Sequence, residues 1–395
     1  MGLTAIKLEL LVGLLAVAGL VTTVWWIWPR LSARTFPSIL GRVGVLLLNQ
    51  ILTLALLGLA LNNYFGFYGS WADLLGTDTS QSAPIVADQG PGVPPAEVTG
   101  GVQVIGTTRV PLISGRNGDA GGRLQQVVIS GATSRLSSPA YIYLPPQYFE
   151  ERYANTRFPV IVALTGYPGD ARNLVTRMNM PAVAARAIDR REMIPTIMVL
   201  MRPTVAPPRD TECVDVPGGP QAETYFTKDL KEAMAGSFRV GTDAANWGIL
   251  GASTGGYCAL KIAMRHPEAY SAAVSLSGYF KPPIDATTGD LFGGSRKLRN
   301  ENDMMWRLDH LPHPPISVLV TSSRKGESNY PSTLAFLRAV KPPMQAASLI
   351  LPSGGHNFNT WIRELPQALP WLAQQLHMPS PASPGSPAPA PSPSS

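Results

Sequence analysis

Residues 247–266 constrain the fold more than any other stretch: Trp247-Gly-Ile-Leu-Gly-Ala-Ser-Thr-Gly-Gly-Tyr-Cys-Ala-Leu-Lys-Ile-Ala-Met-Arg-His266. Trp247 to Leu250 reads as a short buried strand, and the residues after Gly255 read as a helix. Between them, Gly251-Ala252-Ser253-Thr254-Gly255 forms a G-x-S-x-G pattern, the mark of a nucleophile elbow. Small residues two before and two after the serine let strand and helix pass closely. The turn would hold Ser253 clear of the sheet at a helix N-terminus. The Thr254 backbone N–H would then be free to donate to a developing oxyanion. The competing reading is a strand–helix turn with an ordinary N-cap serine.

A serine is a weak nucleophile at its free pKa and needs a base. Of the five histidines, His266 closes the elbow helix and reads as a C-terminal cap. His310 and His313 lie in a proline-rich connection, and His377 abuts the tail. His356 lies in Pro352-Ser-Gly-Gly-His-Asn-Phe-Asn-Thr-Trp361, directly after the last predicted strand. Open α/β sheets keep their sites at such strand ends, so His356 is the expected base. A carboxylate should orient it, following a strand between serine and histidine. That strand is Ile316 to Val320, and Glu327 is the carboxylate in the loop after it. Asp303 and Asp309 precede the strand and are weaker candidates. A second oxyanion donor is expected from Thr165-Gly166-Tyr167-Pro168-Gly169, after an earlier strand. Pro168 has no N–H; Tyr167 is the first choice and Gly166 the second.

The remaining apolar strands are Leu124–Ile129, Ala140–Leu144, Phe158–Leu164, Thr196–Met201, Ser271–Leu276 and Ala347–Leu351. The first two read as an antiparallel opening pair. Helices are expected at Asn179–Arg190, Thr227–Phe238 and Ser332–Ala339. Buried strands alternating with helices predict an α/β fold with a mostly parallel sheet covered on both faces.

The N-terminal part is different. Leu10 to Trp28 is almost uniformly apolar and about the ~20 residues a bilayer crossing needs. Trp25, Trp26 and Trp28 suit a membrane interface, and the start lacks the basic region and cleavage site of a signal peptide. Val43 to Leu61 is a second apolar run, where Asn49 and Gln50 offer a helix–helix contact. Tyr64, Phe65, Phe67, Tyr68 and Trp71 follow as an aromatic belt. Arg30, Arg34 and Arg42 between the runs place the hairpin tip on the cytoplasmic side, leaving all that follows Trp71 outside. Only 15% of residues are charged, in keeping with a chain partly in lipid. The +6 formal charge is spread out, so nucleic-acid binding is not expected. Partners expected instead are the bilayer and an ester or lipid substrate.

These readings divide the chain into a transmembrane hairpin (1–71), an extracytoplasmic linker rich in Gly, Pro, Ser and Thr (72–122), an α/β domain (123–377) and a Pro/Ser/Ala tail expected to be disordered (378–395). Val102 to Ile105 is a candidate short strand inside the linker. Cys213 and Cys258 are too few for a disulfide scaffold. In an oxidising compartment they would pair, closing a loop of about 45 residues and bracing the elbow helix; two separate buried thiols are the alternative. No glycine-rich phosphate loop or metal-ligand cluster appears, so no cofactor or metal is expected.

Taken together, Ala140-Tyr-Ile-Tyr-Leu-Pro-Pro-Gln-Tyr148, Phe158 to Gly166, Trp247 to Gly256, Val274-Ser-Leu-Ser-Gly278 and Gly354-Gly-His-Asn-Phe358 resemble the esterase D branch of the α/β-hydrolases, which includes the mycolyltransferases. The resemblance runs from about Leu124 to His377. It implies an α/β-hydrolase fold, a nucleophile at Ser253, a histidine at His356 and an oxyanion residue at Tyr167. Thr165 stands where that branch has an aspartate that helps hold a sugar hydroxyl, which argues against trehalose as acceptor. The expected activity is an outward-facing, membrane-anchored serine esterase. Acyl transfer to a sugar or lipid hydroxyl is one alternative, and a silent envelope-binding protein is the other.

Overall fold

Strand residues 160–164 are buried along their whole length, with alternate side chains entering two separate cores. Val160, Val162 and Leu164 point to one face, Ile161 and Ala163 to the other, as a period of two demands. Such a strand needs cover on both sides, and the computed structural model supplies it. It describes residues 2–3, 5–65, 71–74, 100–110, 121–207 and 209–379.

The sheet has nine strands: β1 (Gly101–Arg109), β2 (Arg123–Ser130), β3 (Ser137–Leu144), β4 (Val160–Leu164), β5 (Ile197–Met201), β6 (Trp247–Ala252), β7 (Ala272–Leu276), β8 (Ser317–Ser323) and β9 (Gln345–Leu351). Their order is β1-β2-β3-β5-β4-β6-β7-β8-β9. The pairs from β1 to β5 are antiparallel, and every pair from β5 to β9 is parallel. One face packs against helices Leu230–Ser237, Thr254–Arg265 and Tyr330–Ala339. The other packs against Met180–Asp189 and Phe358–Gln374. This is an α/β-hydrolase arrangement, mostly parallel and covered on both faces.

Two features depart from the sequence-based expectation. The linker was expected to run to residue 122, yet Gly101–Arg109 is a full strand at the sheet edge, paired with β2 from Gly101↔Ser130 to Arg109↔Arg123. The candidate strand Val102–Ile105 falls inside it, but β1 runs on to Arg109; most of it is exposed, so backbone pairing rather than burial fixes it. Helix Phe358–Gln374 was not expected at all. Pro366 and Pro370 lie inside it, and proline normally interrupts a helix. Its buried face of Trp361, Leu365, Ala368, Leu369, Leu372 and Ala373 holds it on the sheet regardless. Linker residues 75–99 and 111–120, Phe67 and Tyr68 of the aromatic belt, and the tail from 380 lie outside the described residues.

The two N-terminal helices, Ile6–Arg30 and Phe36–Asn63, are long and apolar enough to cross a membrane. Their apolar surface is largely exposed, which sets them apart from the core helices of the sheet. Asn49 Nδ2 donates to Thr23 Oγ1 of the facing helix at 2.8 Å, the interhelical contact the sequence offered. Arg177 of the sheet domain donates to the Asn63 carbonyl at 2.8 Å and stacks its guanidinium over Phe358. The hairpin is thereby tied to the helix that follows His356.

Candidate active site

Ser253 sits between β6 and helix Thr254–Arg265 at φ 56°, ψ −120°. Few non-glycine residues occupy that region, and they cluster at functional sites. The flanking glycines explain how the turn closes. A Cβ on Gly251 would collide with the Gly255 backbone, and one on Gly255 with the Leu164 and Thr165 carbonyls. Strand, helix and the 165–169 turn thus meet with no room for side chains. Ser253 N–H donates to the Leu276 carbonyl at 3.0 Å, fixing the turn to β7.

His356 lies in the loop between β9 and helix Phe358–Gln374. Its Nε2 is 2.7 Å from Ser253 Oγ. Trp361 holds the ring edge-on at 5.4 Å and is itself fixed by Nε1 donating to Ser277 Oγ at 3.0 Å. His356 as a residue keeps contact with solvent, but the protein atoms crowded around its imidazole lower its pKa. Glu327 opposes that shift from nearby. The ring is therefore neutral at neutral pH, the state a proton acceptor needs.

Glu327 follows β8 and is only 8% exposed. Neither of its oxygens has a hydrogen-bond partner among the described residues, His356 included; the two residues interact through space. Backbone contact draws their loops together. Gly326 has φ +93° and a Cβ there would strike the Gly354 carbonyl, while Gly354 N–H donates to the Lys325 carbonyl at 3.0 Å.

The 165–169 turn lies beside the serine. A Cβ on Gly166 would sit 3.1 Å from Ser253 Cβ and 3.6 Å from its Oγ. Gly169 N–H donates to the Gly166 carbonyl and Thr165 Oγ1 to the Gly169 carbonyl, so the turn is tight. Thr254 opens the elbow helix, where the first amides have no helical acceptor. Both segments named for oxyanion binding, Thr254 and Gly166–Tyr167, therefore flank Ser253.

Cys213 and Cys258 form a disulfide. The other histidines lie elsewhere. His266 caps the elbow helix and bonds Glu223 and Glu268. His310 contacts the Trp306 carbonyl and His313 the Leu308 carbonyl. Asp303 caps a helix through the Trp306 amide.

Three neighbours escaped sequence reasoning. Tyr279 O–H donates to buried Glu212 at 2.6 Å and lies 3.1 Å from Thr254 Oγ1. Burial, then the Asp210 charge, pushes Glu212 up to about 8. Glu364 is fully buried behind Glu327 and accepts from Thr321 Oγ1 at 2.8 Å. Burial pushes Glu364 up to about 8 as well. None carries a motif; each is brought in by an element distant in sequence.

Comparison with known proteins bears on the family and the fold. The family model described as putative esterase matches residues 136–372. An uncharacterized protein of Corynebacterium glutamicum is 27% identical over 268 residues, 64% of this chain and 62% of that protein, so the match spans under two thirds of the relative's length. S-formylglutathione hydrolase from Agrobacterium tumefaciens superposes with a TM-score of 0.55 at 16% identity, over 69% of this chain and 99% of that one. Fluorophosphonate-binding serine hydrolase F of Staphylococcus aureus gives 0.52 at 16% identity, over 63% and 98%. At such identities the structural likeness speaks for the fold.

Proposed function

The chain belongs to the putative esterase family, and on that premise we propose that it is a membrane-anchored serine esterase acting outside the cytoplasmic membrane. The observation that carries the reading is His356 Nε2 at 2.7 Å from the Oγ of a serine held at positive φ.

In this reading Ser253 Oγ attacks the ester carbonyl while its proton passes to His356 Nε2. Glu327 stabilises the resulting imidazolium and fixes the ring. The Thr254 amide, with that of Tyr167 or Gly166, binds the oxyanion; each such donor is worth about 3–4 kcal/mol in the transition state. The imidazolium then protonates the departing alkoxide, leaving an acyl-enzyme. Water, deprotonated by His356, releases the acid. The arginines at 30, 34 and 42 support a hairpin tip inside and a catalytic domain outside. With the domain tethered to lipid, the substrate is an acyl or aminoacyl ester of the envelope.

The test uses the full chain in detergent or lipid nanodiscs. A fluorophosphonate probe should label the wild type and not Ser253→Ala, and 4-nitrophenyl esters of graded chain length should be cleaved with the same dependence. A well-folded wild type that neither labels nor turns over would sink the esterase reading. Formation of a new ester on adding a sugar or glycerol acceptor would redirect it to acyl transfer.

A further inference from the structure

The charged and polar groups behind His356 do not end at Glu327. Glu364, on helix Phe358–Gln374, is 0% exposed. Its surroundings fix what each oxygen does. Thr321 Oγ1 accepts the Ser277 N–H at 3.0 Å, so its one proton is directed to Glu364 Oε2 at 2.8 Å. Oε2 is therefore an acceptor. Glu364 Oε1 is buried with no hydrogen-bond partner among the described residues, and so are both oxygens of Glu327. The two carboxyls are close enough to act on each other electrostatically.

Among the described residues, the cation acting on Glu364 is Arg363, and its effect ranks below burial, the Thr321 hydrogen bond and the Glu327 charge. From β8 comes Thr321, from the loop after it Glu327, and from the helix itself Arg363, whose guanidinium is turned outward to the Ser353 carbonyl. His356 faces Glu327 from the β9 loop. Buried, and facing a second carboxyl, Glu364 is the group whose charged form is disfavoured.

We propose that Glu364 is a positioning residue that stays protonated and donates from Oε1 to Glu327, holding the triad carboxylate as an anion aimed at His356. This rests on Glu327 acting as the triad acid. The arrangement pairs unpartnered oxygens on both carboxyls, since a neutral acid donates where a carboxylate cannot. A neutral donor also orients Glu327 without cancelling its charge, as an arginine there would. The path then runs Ser277 N–H, Thr321 hydroxyl, Glu364 carboxyl, Glu327 carboxylate, His356, Ser253.

The test is the pH profile of kcat/KM for a 4-nitrophenyl ester, with the full chain in nanodiscs. In wild type, ionisation of Glu364 near pH 8 removes the donor and sets a second anion against Glu327, so activity falls on the alkaline side. Glu364→Gln keeps both bonds, its amide oxygen accepting from Thr321 and its NH2 donating to Glu327. It should hold kcat within about threefold at pH 7 and lose the alkaline fall. Glu364→Leu should lower kcat about 10- to 100-fold with KM within twofold. A Gln variant that folds but is as slow as Leu, or keeps the alkaline fall, overturns the proposal. If Glu364→Leu does not fold, the Gln profile alone decides. An inert wild type would strike at the esterase reading instead, so the two failures are distinguishable.

Discussion

Two buried carboxylate sites lie on helices that cover opposite faces of the sheet, and they are wired in opposite ways. Glu223, 4% exposed, takes Lys261 Nζ at 2.9 Å, Arg265 Nε at 2.5 Å and His266 Nε2 at 2.6 Å. Burial alone would raise its pKa, but Lys261, His266 and Arg265 outweigh that and hold it well below the usual carboxylate range. Glu364 is as deeply buried and has a threonine and a second carboxyl for company, so its pKa goes up. Burial is shared; the partners decide the charge. The cation-rich site lies along the far half of the elbow helix, beside the Cys213–Cys258 bridge, and clamps that helix. The acid-rich site includes Glu327, which acts on His356 through space; the proposed mechanism calls for a negative charge there.

The contrast predicts which measurement each site moves. The largest effect is catalytic. Glu327→Gln should lower kcat by about 10⁴-fold, by analogy with loss of the orienting acid in a serine triad, and leave the melting temperature unchanged or higher. Loss of folding with full specific activity in the remaining soluble protein would erase the contrast. Next comes Glu223→Gln. It strands Lys261, which is fully buried, and should cost about 3–5 kcal/mol of stability. Labelling per folded molecule should be unchanged. A slow but stable Glu223→Gln protein would mean that this cluster also takes part in the chemistry. Third, reduction of the disulfide should cost about 2–4 kcal/mol, the usual range for a bridge of this loop length. It should act with Glu223→Gln on the same helix, so the two losses should not add.

The legibility of these parts in the sequence follows the same division. Ser253 is visible because the elbow compresses its backbone demands into five residues, and two of its glycines have no room for a Cβ. His356 is visible because it follows a strand end. Glu327 is reached by elimination within a short loop. Glu364 was hidden in a helix whose two prolines argue against a helix, and its partner Thr321 is 43 residues away. Glu223 is equally mute, because its three cations lie 38 to 43 residues further on. Strand β1 was legible only in part, as the candidate strand Val102–Ile105: its exposed C-terminal half is fixed by backbone pairing, which leaves no side-chain period to read. The disulfide was legible as a possibility because there are only two cysteines.

The smallest prediction separates the two sites by the sign of their pH dependence. Glu223 has a depressed folded pKa, so its stabilisation is present above the ordinary Glu value and is lost as pH falls through the folded pKa. Glu364 has a raised one. Between its unfolded value of 4.5 and about 8 the folded state holds a proton that the unfolded state has released, so stability falls as pH rises across that window. Glu364→Gln is neutral in both states and removes this cost. With allowance for relaxation around the site, the variant should gain about 2 kcal/mol over wild type at pH 8 and nothing at pH 4. Melting curves at the two pH values measure it. Equal wild-type and variant melting temperatures at pH 8 would mean that Glu364 is charged and compensated, and the two carboxylate sites would then be alike.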